Sequence, residues 1–451
     1  MDEQLKQLQK KINYEKTFDC VQCGYCLPAC PTYESMQKET HSPRGRINLV
    51  KQFAEGKIGI EALQEPIDRC LGCNACAVVC PTNVEYGKIL EGAKEVLDEQ
   101  KPKTKRQKIV EEILFDQVFP SKTWMNFIGH ATWFYQKSSL KALLEKTGLT
   151  KMAPLHLDQF EQVLPDLPSP MERRRRRKVT KAVGRSRVNV GFFTGCVMDS
   201  IFFKINDQTI DLLTRAGADV FIPDEQTCCG ALHAHSGKLE SSKELAKRNI
   251  EAFEKENVDY IVNNAGGCGA RLIEYEELFE DEPEWGERAK AFVDKTKDIH
   301  QLLVELDTLT FTKPVHEIVT YQSSCHMLNV QRVVDAPLRL LKSIPGVVYR
   351  EMKGSDRCCG SAGIYNMIQY DESMEILNKK MDNVKTTDAH TIVTTNPGCL
   401  LQMKLGIKRE GLEDRMRAVH LVELLSEAEP ETRDETDAEH PNATGETESD
   451  F

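Results

Sequence analysis

A helical, cysteine-bearing N-terminal module followed by two copies of an α/β unit is the fold class this sequence predicts. Three observations carry the prediction. The sixteen cysteines fall into four quartets, at 20, 23, 26 and 30, at 70, 73, 76 and 80, at 196, 228, 229 and 268, and at 325, 358, 359 and 399, with none left over. The last two quartets repeat one another with offsets of 129, 130, 130 and 131 residues, the mark of a duplication. Through that repeat, short apolar runs alternate with helical patterns, the rhythm of an α/β unit.

Taken in order, the first two quartets each read Cys-x2-Cys-x2-Cys-x3-Cys-Pro, as CVQCGYCLPACP and CLGCNACAVVCP. Past Tyr86 the pattern is helical: Ile89, Leu90, Ala93, Val96 and Leu97 share one face, and Ile109, Val110, Ile113, Leu114 and Val118 follow before Pro120. From Ser121 to Ala182 the pattern is less regular, holds Trp124, Phe127, Trp133, Phe134 and Tyr135, and ends in the basic run Arg173 to Lys178; it reads as a connector, whose aromatic stretch from Phe119 to Tyr135 and basic run are expected as a domain-packing face and a solvated loop, with docking on a partner or an anionic membrane surface as the alternative. In the first copy the apolar runs Val188 to Phe193, Val220 to Ile222 and Val258 to Val262 each precede one of its cysteines. Loops at the carboxyl ends of parallel strands converge on a crevice, so this order gathers four thiols that are distant in sequence. TCCG at 227–230 matches RCCG at 357–360, and YIVNNAGGC at 260–268 matches TIVTTNPGC at 391–399, so the second copy builds a second such site. The domains expected are 1–100, a helical connector 101–185, repeats at 186–310 and 311–425, and an acidic disordered tail at 426–451.

Composition excludes several function classes. No run of about 18 apolar residues is present for a membrane span, and the charged start MDEQLKQLQKKINYEK lacks the apolar centre of a secretory signal, so a cytoplasmic protein is expected. The formal charge is −11, but residues 426–451 contribute −9 of it. The nearly balanced remainder gives no electrostatic case for nucleic acid. In a reducing compartment the sixteen cysteines point to metal rather than to structural disulfides.

Thiolates select zinc, copper(I) or iron-sulphur clusters. Two-residue spacing lets a tight loop supply three corners of a cluster, and Cys-x3-Cys-Pro leads the chain away to a remote corner; in two-cluster ferredoxins that fourth cysteine serves the other cluster. The expected sets are Cys20, Cys23, Cys26 and Cys80 around one [4Fe-4S] cluster and Cys70, Cys73, Cys76 and Cys30 around the other. Two four-thiolate zinc sites are the alternative. The adjacent pairs Cys228–Cys229 and Cys358–Cys359 cannot close a disulfide without strain, so Cys196, Cys228, Cys229 and Cys268, and Cys325, Cys358, Cys359 and Cys399, are candidates for additional clusters, redox-active thiols or buried thiols. His233, His235 and His326 lie near them as ligands, proton donors or ordinary polar residues. Arg44 and Arg46 of SPRGR are placed to meet a cluster-loop carbonyl, an acidic partner or a surface carboxylate.

The order of these motifs, with HSPRGRINL at 41–49 and DRCLGCNACAVVCPTNVEYGKI at 68–89, resembles the iron-sulphur subunit of bacterial glycolate oxidase (glycolate dehydrogenase). The resemblance covers about residues 15–425. It implies an α-helical two-[4Fe-4S] ferredoxin-type domain followed by two repeated α/β CCG (heterodisulfide-reductase-like) domains. It implies an electron-transfer subunit, without catalytic residues of its own, that serves an FAD-containing dehydrogenase partner oxidising glycolate or a similar 2-hydroxy acid such as D-lactate. A quinone or other acceptor would take the electrons, with peripheral association at the inner face of the plasma membrane. The same modules occur in the iron-sulphur subunits of anaerobic glycerol-3-phosphate and D-lactate dehydrogenases and in heterodisulfide reductase. From the last, this sequence departs: Ala265 and Asn396 stand where its pattern has a fifth cysteine. A self-sufficient thiol-disulfide reductase and a zinc-stabilised scaffold are the competing functions; no Gly-x-Gly-x-x-Gly fingerprint or P-loop is present.

Overall fold

The computed structural model describes residues 3–138, 141, 146 and 154–432. Residues 3–100 hold helices and turns and no strand. The face predicted on helix Tyr86–Gln100 is inward: Ile89, Leu90, Ala93, Val96 and Leu97 pack with Ile12, Ile47, Val50, Leu63 and Ile67 in one apolar core. Helix Pro43–Ala54 starts where Ser42 Oγ accepts the Gly45 N–H at 3.0 Å and Pro43 occupies the first turn, a hydroxyl cap followed by a residue with no N–H to satisfy. These helices leave the two Cys-x2-Cys-x2-Cys loops at one end of the core.

The connector is more regular than its sequence suggests. Helix Lys105–Glu112 opens with a Thr104/Gln107 capping box, runs through a widened turn at Ile113–Val118, and is followed by helix Lys122–Lys137, capped by Ser121. Met125 and Gly129 face inward; a Cβ on Gly129 would lie 2.9 Å from both Arg173 Nη2 and Ser200 O. The polypeptide at 139–153 is outside the described residues apart from 141 and 146.

Two parallel sheets follow. The first holds β1 (Val179–Thr180), β2 (Val188–Phe192), β3 (Ala218–Phe221), β4 (Tyr260–Asn263) and β5 (Thr296–Asp298) in the order β1-β3-β2-β4-β5, with only β1 antiparallel. Next come β6 (Leu309–Phe311), β7 (Ile318–Gln322), β8 (Val348–Tyr349), β9 (Thr391–Thr394) and β10 (Arg417–His420); the second sheet runs β8-β7-β9-β10. That order matches β3-β2-β4-β5, so the duplication holds at the level of topology. One core spans both copies, from Val190 and Phe192 to Ile392 and Val419. The loops after β4 and β9 interlock: Gly266 N–H donates to Thr395 O at 3.1 Å and Gly267 N–H to Asn396 Oδ1 at 2.9 Å.

Two expectations need correction. Residues 426–432 are not a disordered extension: β11 (Pro430–Thr432) pairs antiparallel with β6, joining the end of the second copy to the end of the first. The rest of the expected tail, 433–451, lies outside the described residues. The basic run is also only partly a free loop. Arg173 is buried and donates to Asp199 O at 2.9 Å, and Arg176 pairs with Asp199 and Asp207 and stacks on the Phe203 ring.

Candidate functional site

All sixteen cysteines are free thiols. Cys20, Cys23, Cys26 and Cys80 line a hollow together with Pro43, Arg44 and Tyr86. A second hollow is lined by Cys30, Cys70, Cys73 and Cys76 with Arg46 and Tyr86. The fourth cysteine of each motif thus faces the three from the other, and Cys76 borders both hollows. The two environments differ. Cys23 is exposed and Cys20, Cys26 and Cys80 are half-buried, whereas Cys30, Cys70, Cys73 and Cys76 are buried.

Burial pushes the Cys73 and Cys76 thiols well above the ordinary range, because an isolated thiolate is costly without water. Cys70 is the exception: burial would raise it, but the charges of Arg46 and Lys94 bring it down. Arg46 is 1% exposed. Its Nε donates to Pro66 O at 2.7 Å and its Nη2 to Thr32 Oγ1 at 3.0 Å, while Nη1 lies 3.9 Å from Cys30 Sγ. Burial would lower Arg46, but Cys70, Tyr86 and Cys30 raise it, so this guanidinium is a fixed positive charge at the inner hollow. Arg44 works at the outer one: Nη1 donates to Gln22 O at 3.0 Å and Nε to Glu39 Oε1 at 2.7 Å, meeting a loop carbonyl and a carboxylate together. Cys80 falls below the usual thiol range; burial alone would raise it, and the Thr82 hydroxyl with backbone N–H groups reverses this.

In the first repeat, Cys196 Sγ lies 3.5 Å from Cys228 Sγ. Thiols of Cys228 and Cys268 donate to Cys229 and hold it well below the usual range, while Cys228 and Cys268 themselves rise. Gly230 is built for this turn: its φ is +86° and an added Cβ would lie 2.5 Å from Ser242 Oγ. Its counterpart Gly360 has φ +93° with a Cβ 2.9 Å from Ser373 O, so the glycine of each CCG motif occupies backbone that L side chains disfavour. In the second repeat Cys325 rises well above the ordinary range through contact with Cys358 and then burial, and Cys358, Cys359 and Cys399 continue the chain of neighbouring thiols. At the positions of the missing fifth cysteine, Ala265 is buried and Asn396 Nδ2 lies 3.7 Å from Cys399 Sγ. An amide that donates to sulphur takes the place of a fifth ligand.

The sequence does not reveal how the sites sit against one another. Leu71 and Cys73 share an apolar cluster with Cys325, Cys358, Tyr365 and Ile376, and Asn329 Nδ2 donates to Cys73 O at 2.8 Å. The inner hollow and the quartet of the second repeat therefore have a common wall. The quartet of the first repeat instead meets the connector: Cys196 and Cys228 line a hollow with Phe119, Pro120 and Met125, and Thr227 Oγ1 donates to Pro120 O. His233 is buried, donates Nε2–H to Phe115 O at 2.7 Å and packs on the Phe115 ring, so it pins the connector. His326 Nδ1 lies 3.5 Å from Cys325 Sγ, and its ring is 5.2 Å from that of His235.

At least four cysteines line each of the first two hollows, with no carboxylate beside them, and the buried thiols need cationic charge before they can ionise. Gly72 and Gly230 N–H groups already point at Cys70 and Cys228 sulphurs, each at 3.5 Å. Such a donor set suits a thiophilic metal group and fits hard cations poorly. A helical module with two interleaved cysteine hollows, joined to a duplicated α/β unit that gathers four more thiols in each half, defines an iron-sulphur dicluster protein with paired cysteine-rich domains. Residues 16–84 match the family described as a 4Fe-4S dicluster domain, 106–164 the glycolate oxidase iron-sulfur subunit linker region, and 190–273 and 319–404 the cysteine-rich domain. The chain belongs to the glycolate oxidase iron-sulfur subunit family. It is 46% identical over 435 residues to the probable glycolate oxidase iron-sulfur subunit of Bacillus subtilis, spanning 95% of this chain and 98% of that one. It is 27% identical over 395 residues to the glycolate oxidase iron-sulfur subunit of Escherichia coli, spanning 84% and 88%. Lactate utilization protein A of Oceanobacillus iheyensis is 34% identical over 240 residues, 53% of this chain and 97% of that one. A crystal structure of a hypothetical protein from Helicobacter pylori shares the fold at TM-score 0.50 and 9% identity, covering 95% of this chain and 73% of that one.

Proposed function

We propose that this chain is the electron-transfer subunit of a multi-subunit glycolate oxidase or dehydrogenase. An FAD-containing partner would oxidise glycolate, or a similar 2-hydroxy acid such as D-lactate, and a quinone or other acceptor would lie downstream. Cys20, Cys23, Cys26 and Cys80 would hold one [4Fe-4S] cluster and Cys70, Cys73, Cys76 and Cys30 the other, supplying one-electron chemistry that no side chain of this sequence offers. Cys196, Cys228, Cys229 and Cys268, and Cys325, Cys358, Cys359 and Cys399, are proposed as additional four-thiol cluster sites.

The observation that carries this reading is the common wall between Cys73 and the Cys325–Cys358 pair. It puts three thiol sites in series: an outer one that a partner can reach at Cys23, a dry inner one, and the second repeat quartet. The protein's own residues keep that series in order. Arg44 ties the Cys20–Cys26 loop to Glu39, Arg46 supplies positive charge to the inner site, and Leu71, Tyr365 and Ile376 exclude water from the wall. No helix among the described residues is long and apolar enough to cross a membrane, and we place the complex in the cytoplasm.

Anaerobic affinity isolation of the native protein, with iron and flavin counted on what is recovered, tests this. Roughly eight irons per chain, from two cubanes, and a co-purifying flavoprotein are the expected minimum; a larger iron count assigns metal to the repeats. Colourless, zinc-loaded protein without a flavoprotein would overturn the proposal.

A further inference from the structure

Each repeat places one buried cation beside its four cysteines, and the two cations stand at different points of the same scaffold. The frame around the CCG turns is duplicated closely: Ser242 Oγ donates to Gly230 O at 3.1 Å in the first copy, and Ser373 Oγ to Gly360 O at 2.9 Å in the second. Three residues past the last cysteine of each quartet, Arg271 Nη2 donates to Ser242 Oγ at 3.1 Å and Gln402 Nε2 to Ser373 Oγ at 3.0 Å. Seven residues past each serine, Asn249 Nδ2 donates to Cys228 O at 3.0 Å and Lys380 Nζ to Arg357 O at 2.9 Å. Both pairs occupy matching positions, 131 residues apart, with the charge exchanged between them. The first copy has Arg271 and a neutral Asn249; the second has Lys380 and a neutral Gln402. All four are buried, Arg271 and Lys380 at 3% and 4% exposure.

A cation taken out of water is costly unless negative charge stands near it. Among the described residues no carboxylate comes within ion-pair distance of Lys380. Its ammonium is held by the carbonyls of Arg357 and Gly354, and the groups around it that can carry negative charge are Cys359, Cys358, Cys399 and Asp356. Arg271 faces Cys229, and also Glu91 and Glu274 at 3.4 and 3.5 Å. Neutral thiols or a disulfide would leave the Lys380 charge with little to balance it. Four thiolates around an iron-sulphur core form a negative site, and a positive charge fixed beside it makes an added electron easier to hold in a dry interior. Arg46 stands in the same relation to the inner hollow.

We propose that Lys380 and Arg271 are positioning residues, each supplying the buried positive charge that balances a negative iron-sulphur site formed by the four cysteines of its repeat. This rests on the reading of the repeat quartets as cluster sites. On reduction one electron passes from the reductant, dithionite in the titration below, into the site; no bond forms or breaks, and the fixed cation favours the reduced form.

Anaerobically purified full-length protein is titrated with dithionite and followed by EPR, with iron counted on each sample. A signal lost in Cys399→Ser protein belongs to the second repeat, and one lost in Cys268→Ser protein to the first. Lys380→Gln is expected to shift the reduction equilibrium of the second-repeat signal at least about tenfold toward the oxidised form, about 59 mV for one electron. Lys380→Arg keeps the charge and should stay within about threefold of the parent. Arg271→Gln is expected to move the first-repeat signal in the same direction by a smaller factor, because Glu91 and Glu274 already offset part of its charge. An unmoved second-repeat potential in Lys380→Gln protein of full iron content, or an equal fall in Lys380→Arg protein, overturns the proposal. If Lys380→Gln protein lacks the second-repeat iron, its return in Lys380→Arg protein supports the role of charge, and its absence from both overturns it. A parent holding only about eight irons per chain also overturns the proposal, by removing clusters from the repeats, and leaves the electron-transfer reading of the N-terminal module standing.

Discussion

Replacing Arg46 by methionine should lower the reduction potential of the inner cluster by roughly 45–90 mV and leave the outer one within about 20 mV of its parent value. The guanidinium is 1% exposed and sits 3.9 Å from Cys30 Sγ. Two unit charges at that distance with an effective dielectric of about 20 interact by ~4 kcal/mol. An added electron is spread over the corners of a cluster, so roughly a quarter to a half of that, ~1–2 kcal/mol, is lost with the charge, and about 59 mV corresponds to each tenfold change for one electron. Reduction makes the site more negative, so removing a positive charge makes reduction harder. The substitution also strips Pro66 O and Thr32 Oγ1 of their donor, at a cost of ~1–3 kcal/mol in stability. Arg46→Lys separates the two effects: charge and potential should be largely restored while the lost hydrogen bonds are not. The assay is a redox titration followed by EPR, with iron counted on each sample. Potentials that stay put in Arg46→Met protein of full iron content would refute the assignment of Arg46 as the charge that sets the inner site.

Other expectations can be checked separately. Cys80→Ser should remove the outer cluster and spare the inner one, and Cys30→Ser the reverse, each read as loss of one of two EPR signals; loss of the signal from the variant's own motif would show that the fourth corners are not exchanged. Gly230→Ala and Gly360→Ala should each destabilise by about 2–4 kcal/mol, from left-handed backbone plus the contacts to Ser242 and Ser373, measured as a fall in unfolding midpoint; unchanged midpoints would mean the CCG turns can relax. His420 is buried, donates Nε2–H to Asn264 O at 3.0 Å, and is pushed down to about 3 by burial and the neighbouring His300. Below pH 6.5 the unfolded chain takes up a proton that the folded one refuses. The contribution of His420 should thus be flat above that pH and fall by about 2 kcal/mol by pH 5, against the opposite slope of Glu274, which burial pushes up to about 7. His420→Gln should flatten that slope in chemical denaturation, and an unaltered slope would place its origin elsewhere.

The cysteine spacing made the two-motif module legible, and the offsets of the repeat anticipated two sheets of equal strand order, because ligand spacing and duplication are written directly in the chain. Direction was harder. Ile89, Leu90 and Ala93 and Ile109, Val110 and Ile113 give similar helical patterns, yet the first set is buried and the second exposed; periodicity reports that an apolar face exists and not what covers it. Tertiary arrangement was hidden as well. Asn329 and Cys73 are 256 residues apart, and nothing local announces that their loops meet. Strand β11 escaped because Pro-Glu-Thr has no apolar alternation and is held by pairing to β6 and by hydrogen bonds to the distant Arg215. Arg173 looked like one more cation in a basic run, and only the carbonyls of Asp199 and Ser200 account for its burial.

The graded enclosure of the sulphurs, from Cys23 in solvent to Cys73 and Cys358 behind a closed apolar partition, fixes the sequence in which they encounter dissolved oxidants. Peroxide diffusing in meets the outermost nest first, and its disassembly breaks the link to the exterior before the deeper sulphurs are touched. Oxidative inactivation would then begin as a disconnection, with the interior still intact and awaiting repair of one exposed corner.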